Sequence, residues 1–161
     1  MHQGRQPSVL QLVVFRIEEQ QYALSLPAVE RVVPMVAVSP LPQAPFSALG
    51  VINLHGKVVP VLDMRRCFGF PPSEYGMTAH LLIARTSRRI LALPVDEVLG
   101  VREVAAAAIT APDAILPGIA QVAGVVTLAD GLLFIHDLDT LLSLKEEEQL
   151  TAAIEETELC G

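Results

Sequence analysis

The most metal-like spacing in the chain is His136-Asp137-x-Asp139, one imidazole and two carboxylates within four positions. Nitrogen and oxygen ligands of this kind suit zinc or a related divalent ion, and a small metal-binding barrel enzyme using His136 and Asp137 is the chemistry they would support. Strand and turn geometry works against it, because adjacent side chains leave an extended backbone on opposite sides. No second ligand cluster lies nearby in the sequence. Cys67 with His80 or His55 as its base would make a nucleophilic pair. Cys67 sits among apolar neighbours in a short turn, however, where an inert thiol is the commoner outcome. Glycine-rich phosphate loops, nucleotide fingerprints and paired acids in a polar segment are missing from the sequence. The chain offers surfaces in place of a reaction centre, so no catalytic residue, metal or cofactor is expected.

Those surfaces are set by an internal duplication. Gly50-Val51-Ile52-Asn53-Leu54-His55-Gly56-Lys57-Val58-Val59-Pro60-Val61-Leu62-Asp63 matches Gly124-Val125-Val126-Thr127-Leu128-Ala129-Asp130-Gly131-Leu132-Leu133-Phe134-Ile135-His136-Asp137 without a gap. Glycine falls on glycine and aspartate on aspartate, while Leu62 occupies the place of His136, so an apolar side chain satisfies that position. Upstream, Leu12-Val13-Val14 and Tyr22-Ala23-Leu24 correspond to Leu81-Leu82-Ile83 and Leu91-Ala92-Leu93. The chain reads as two successive units of roughly 65–70 residues. Residues 1–8 are expected to be a disordered N-terminus, 9–144 one domain with repeats at about 9–70 and 79–144, and 145–161 an acidic helix or tail.

Units this small bury too little surface to be stable alone, so the two are expected to share an apolar interface. The 52 % hydrophobic content and positive mean hydropathy agree with that expectation. A net charge of −7 argues against nucleic acid, which needs clustered Lys and Arg. The one basic cluster, Arg85 with Arg88 and Arg89, is expected in a solvated hairpin turn. No stretch reaches the ~18 uninterrupted apolar residues of a membrane span, and Met1–Pro7 is too polar for a signal peptide. Cys67 and Cys160 have no metal or redox spacing and read as reduced cytoplasmic thiols.

Short β-branched runs bounded by Gly, Pro or polar pairs are strand grammar. Strands are expected at about Val9–Ile17, Tyr22–Leu24, Val32–Val38, Val51–Leu54, Val58–Leu62, His80–Arg85, Ile90–Val95, Gly100–Val104, Val122–Leu128 and Leu132–His136. His55-Gly56 and Asp130-Gly131 are two-residue turn signals. Asp63 and Asp137 are placed to cap helical turns over Met64–Phe68 and Leu138–Leu142, with Gly69 ending the first. Pro27–Arg31 suits another single turn. Ala105–Ala108 with Pro112 and Pro117 marks an irregular segment. Ser143 and Glu146 have capping-box spacing, opening a helix to about Leu159 whose thin apolar stripe, Leu150, Ala153 and Ile154, is expected to dock weakly or fray. The fold class is therefore all-β: two small barrels packed together, with short helical turns and a C-terminal helix.

The long motif from Gly50 through Asp63-Met64-Arg65 carries a family resemblance, with Val14-Phe15, Tyr22-Ala23-Leu24, Val29, Val32, Pro42-x-Ala44-Pro45 and Val95-Asp96-x-Val98 in order around it. It resembles the CheW family of chemotaxis adaptors over about Val9–Leu144. The resemblance implies two SH3-like five-stranded barrels and a non-enzymatic task. That task is coupling a CheA-type histidine kinase to the cytoplasmic tip of chemoreceptors, in the cytoplasm at receptor arrays, with no nucleic acid and no direct membrane insertion. An interaction module of a non-motility chemosensory pathway is the alternative. Partner-binding candidates are Glu30, Arg31, Asn53, His55, Lys57, Asp63 and Arg65. Two positions depart from the family pattern. His55 stands where the family has Arg, and Arg31 where it has Glu, so the family's acid–base pair is expected to be lost; Glu30 next door is a candidate replacement facing His55 or Lys57.

Overall fold

The computed structural model describes residues 8–71, 74–111 and 122–160, with the side chains of the last helix described to Glu156. The expected disorder of residues 1–8 and the irregularity around Pro112 and Pro117 fall almost wholly outside the described residues. The first repeat contributes strands β1 (Val9–Ile17), β2 (Gln20–Ser25), β3 (Val29–Pro34), β4 (Ala48–Leu54) and β5 (Lys57–Leu62), then helix α1 (Met64–Phe68). The second contributes β6 (His80–Arg85), β7 (Ile90–Val95), β8 (Glu97–Ala105), β9 (Ile109–Thr110), β10 (Val122–Leu128) and β11 (Gly131–His136), then helix α2 (Leu144–Cys160).

Neither repeat closes on itself. One sheet runs β8-β1-β2-β11-β10-β9 and the other β3-β6-β7-β5-β4. Each sheet thus takes its central hairpin from one repeat and its flanking strands from the other. The joins are equivalent: β8 pairs antiparallel with β1 as β3 does with β6, and β11 lies parallel to β2 as β5 does to β7. Both sheets curl, since strands from their opposite edges meet inside. Val104 of β8 and Ile109 of β9 pack with Leu12, Val14, Ala23, Leu133 and Ile135. Val33 of β3 packs with Ile52 of β4 around Val61, Leu81, Ile83 and Ala92.

The alternate side chains of the same strands form a third and larger core between the barrels. Phe15, Ile17, Tyr22 and Leu24 meet Leu82, Leu91, Leu93 and Val95 there, with Leu62, Met64 and Leu138 from the strand ends and capped turns. A strand buried on both faces needs apolar residues throughout, which is why β1, β6 and β7 read as continuous apolar runs. Burying each such large side chain is worth about 1.5–3 kcal/mol. Half a dozen of them match the whole ~5–15 kcal/mol net stability of a domain, so neither half stands alone.

Several boundaries differ from the sequence expectation, and the partner strand explains them. β3 begins at Val29 and stops at Pro34 because β6 offers partners only from Ala84 to His80; the helical turn before it is just Leu26–Ala28. β8 spans Glu97–Ala105 because β1 is long enough to pair with all of it. The second hairpin turn is Ala129-Asp130, in register with His55-Gly56, and not Asp130-Gly131. The turn after Asp137 covers Leu138–Thr140 only. Strand β9 was not foreseen, since Ala105–Ala108 masks it.

The C-terminal helix does not dock weakly. Leu150 is fully buried and Ala153 nearly so, both within the shared core. Ser143 and Glu146 form the expected reciprocal capping box, each backbone N–H bonded to the other side chain at 3.1 Å. Arg89 then ties the helix down through Glu147 and Thr151, so this arginine belongs to a part-buried ion pair and not to a solvated turn.

The paired glycines have a steric reason. A Cβ on Gly50 would lie 2.2 Å from the backbone oxygen of Ser39, where residue 39 bridges to Val51; on Gly124 it would lie 2.5 Å from the Ile109 side chain, where β9 crosses β10. A backbone oxygen held in a bridge cannot yield, whereas a half-buried isoleucine can turn. Gly50→Ala is therefore expected to cost about 2–3 kcal/mol and Gly124→Ala about 1 kcal/mol, compared by urea unfolding.

Candidate functional site

One end of the five-stranded barrel gathers most of the polar candidates. The register fixes this: Arg31 lies in the first half of β3 opposite Ile83, Leu54 ends β4 opposite Lys57 at the start of β5, and Arg85 ends β6 opposite Ile90 of β7. Arg31, Lys57 and Arg85 follow the alternation of inward-facing residues, but lie where the strands run out. They therefore ring the barrel mouth and are exposed.

At the tip of the β4–β5 hairpin, Asn53 Oδ1 accepts from Gly56 N at 2.8 Å, folding the turn under its own side chain. His55 takes a left-handed φ of 52° there and projects outward. Arg31 Nη1 lies 3.1 Å from His55 Nε2. An arginine only donates, so the imidazole nitrogen facing it accepts and carries no proton. The contact that was expected to be lost is kept with different chemistry: a cation–neutral hydrogen bond joins the two edges of the sheet. Glu30 does not face His55 or Lys57. It accepts from Arg85 Nε at 3.0 Å across the β3–β6 pair. Sequence reasoning placed Arg85 in a solvated turn; its antiparallel neighbour across β3 was the available clue.

Asp63 and Arg65, also partner-binding candidates, lie apart from this mouth and are buried, where their side chains hold the fold. Asp63 caps α1 by accepting from Arg65 N at 2.9 Å, and also accepts from the Tyr75 hydroxyl at 3.1 Å. Gly69 closes the helix in the left-handed conformation. The Arg65 side chain is only 4 % exposed, ion-paired with Asp96, 3.0 Å from Glu18, and stacked on Tyr75. It links the turn after β5 in one sheet to the β1–β2 turn in the other. Asp137 repeats the cap with nearly the same backbone angles, accepting from Asp139 N at 3.1 Å. Asp139 then stands in the place of Arg65 and makes the mirror link, accepting from Ser87 N and Oγ in the β6–β7 turn at 2.7 and 3.0 Å.

These bonds dispose of the two catalytic readings. His136 is buried, its ring 5.0 Å from both Phe68 and Tyr22 in the shared core, while Asp137 is engaged as a cap and Asp139 as a tether. Among the described residues, no three His, Cys, Asp or Glu side chains are grouped so as to hold a metal ion. The two histidines considered as a base for Cys67 have other partners: His55 Nε2 faces Arg31, and His80 Nδ1 bonds to the Thr78 carbonyl at 2.7 Å. Burial pushes the Cys67 thiol up to about 11, with the charges of Glu146 and Asp63 adding to the effect.

Comparison with known proteins now bears on this arrangement. The family model described as a CheW-like domain matches residues 11–146, most of the chain, and the chain belongs to that family. It is similar to the chemotaxis protein CheW of Rhizobium meliloti, 32 % identical over 88 residues, a stretch covering 55 % of this chain and 57 % of that protein. The chain thus spans a little over half the length of that relative. It is also similar to the chemotaxis protein CheW of Treponema pallidum, 25 % identical over 163 residues, covering 93 % of this chain and 95 % of the relative. Among solved structures, the scaffolding protein TtCheW from Thermoanaerobacter tengcongensis matches with a TM-score of 0.76 at 27 % identity, covering 85 % of this chain and 94 % of that one.

Arg65→Met keeps the apolar stem but strands the part-buried Asp96 carboxylate, so it is expected to cost about 3 kcal/mol in urea unfolding, whereas Arg31→Met, which removes one exposed bond, costs under about 1 kcal/mol. For Cys67, alkylation at pH 8 followed by peptide mass mapping is expected to run on the order of a hundredfold slower than for an unperturbed thiol, because only the thiolate reacts.

Proposed function

We propose that this member of the CheW family is a non-enzymatic adaptor coupling the cytoplasmic tips of chemoreceptors to a CheA-type histidine kinase. It works in the cytoplasm, held at receptor arrays on the inner face of the membrane through its partners. The observation that carries this reading is the family match across residues 11–146, which takes in both barrels and the core between them. The rest agrees with it. The polar residues that could have built a reaction centre are consumed in caps, tethers and stacking. No helix among the described residues is long and apolar enough to cross a membrane. The partner-facing residues are Glu30, Arg31, Asn53, His55 and Lys57 at the mouth, while Asp63 and Arg65 hold the barrel that presents them.

A second reading places the chain in a chemosensory pathway with an output other than motility and a divergent partner. It is favoured by the Arg31–His55 bond, which replaces the family's acid–base pair with a cation and a neutral ring.

Titration calorimetry with the CheA-type kinases and receptor cytoplasmic fragments of the same organism tests the proposal. Binding to both is expected. The double variant Arg31→Glu with His55→Arg, which rebuilds the family pair, is expected to fold normally and weaken binding roughly 5–30-fold, about 1–2 kcal/mol. No binding to any kinase or receptor fragment sinks the adaptor reading; unchanged affinity of the double variant would show the substituted pair to be neutral.

A further inference from the structure

The duplication makes the two barrel mouths equivalent, yet their charges are opposite. The β4–β5 turn, His55-Gly56, corresponds to Ala129-Asp130 between β10 and β11. The β6–β7 turn carries Arg88 and the β1–β2 turn carries Glu18 and Glu19. At the five-stranded mouth, Glu30 is taken up by Arg85; Lys57 and Arg88 make no ion pair among the described residues, and neither does the one carboxylate beside them, Asp139, which accepts from Ser87 in the β6–β7 turn. At the six-stranded mouth, Arg16 is taken up by Glu97 at 3.3 Å and Glu18 by Arg65, and Glu19 and Asp130 make no ion pair among the described residues. The balance of unpaired charge is therefore cationic at one mouth, where Arg31, Lys57 and Arg88 outnumber Asp139, and anionic at the other, in a chain whose net charge is −7.

The two mouths share their strand connections but not their turns: His55 and Gly56 are left-handed where Ala129 and Asp130 are not, and the β6–β7 turn is two residues longer than the β1–β2 turn. Charge distinguishes them too. Arg31, Lys57 and Arg88 surround the open end of the five-stranded barrel, with Val58 exposed on the adjoining strand as apolar contact. A positive rim on an acidic protein repels other copies' surfaces of like sign and steers complementary ones.

We propose that the five-stranded mouth is a docking surface for an acidic patch on a protein partner, and that Lys57 and Arg88 choose this end of the molecule over its pseudo-equivalent. The inference rests on the adaptor reading above and adds to it which end is used and what chemistry the partner presents. The unpaired cations supply most of the attraction at long range, and the Arg31–His55 bond holds the two sheet edges together beneath them.

The test measures binding of the full chain to the kinase and to the receptor fragment in about 0.1 M and 0.5 M salt. Lys57→Glu with Arg88→Glu is compared with Glu19→Lys with Asp130→Lys at the other mouth; none of the four residues is buried. The first pair is expected to weaken at least one of the two partners by tenfold or more at the lower salt, mainly through the association rate. The second pair leaves that partner's affinity within twofold. Higher salt narrows the gap. Equal effects from both pairs, or a loss confined to the Glu19/Asp130 pair, overturn the assignment while leaving the adaptor reading intact. Sedimentation of the chain alone covers the remaining occupant: self-association in low salt abolished by Lys57→Glu with Arg88→Glu would mean that the basic mouth takes the acidic mouth of a second copy, which also overturns it. Wild-type chain that binds neither partner removes both readings together.

Discussion

Each barrel is completed by a hairpin from the other repeat, and the outer faces of those two hairpins make the core between the barrels. Phe15, Ile17, Tyr22 and Leu24 from β1–β2 and Leu82, Leu91, Leu93 and Val95 from β6–β7 gather in that one cluster. Their other faces are the floors of the two barrels. A residue lost from either hairpin is thus felt in two cores at once. The exchange also explains the polar bonds outside the core. The capped turns that follow β5 and β11 each reach across to the hairpin tip of their own repeat, which lies in the opposite sheet. Arg65 does this with Glu18 and Asp139 does it with Ser87. The same architectural position is filled once by a cation and once by a carboxylate, so what the duplication preserves is the link and not its chemistry.

The exposed rim of the barrel depends on that rigidity. Side chains at the ends of strands have no neighbours beyond them, and their positions are only as well defined as the barrel beneath. Here the five-stranded barrel is braced by the Arg31–His55 bond at its mouth, by Arg85 and Glu30 along β3, and by α2 through Arg89, Glu147 and Leu150. A CheW-like scaffold built this way holds two ends at a fixed separation and angle while offering each a different electrostatic character. Such a body can join others in series without undergoing chemistry itself.

The duplication, most strands and both capping aspartates were legible in the sequence because each has a local signature: alternation or continuous apolarity, Gly at close approaches, Asp before a turn. The family was legible because the segment from Gly50 to Arg65 is long and specific. Strand exchange was not legible, since a hairpin with two apolar faces pairs equally well with either set of flanking strands on pattern alone. The acidic helix α2 was undervalued for a related reason: two small contacts, Leu150 and Ala153, suffice when they insert into a core that other elements have already formed. Of the partner-binding candidates taken from the motif, Arg31, His55 and Lys57 are exposed and meet at the barrel mouth, with Glu30 beside them on β3. The pairing among them was mistaken, because which of Glu30 and Arg31 faces the hairpin tip depends on the irregular register between Val29 and Arg31. Asp63 and Arg65 come from the same motif and are buried, since a charged residue in a conspicuous run can be there to hold the fold.

The interlocked core is tested most directly by native-state hydrogen exchange across β1, β2, β6 and β7 at increasing denaturant. If the two hairpins complete each other's barrels, their slowest amides open together with a single free energy equal to that of global unfolding. Amides of one barrel exchanging through an opening several kcal/mol below the other's would contradict the account. They would show two separable units that merely touch.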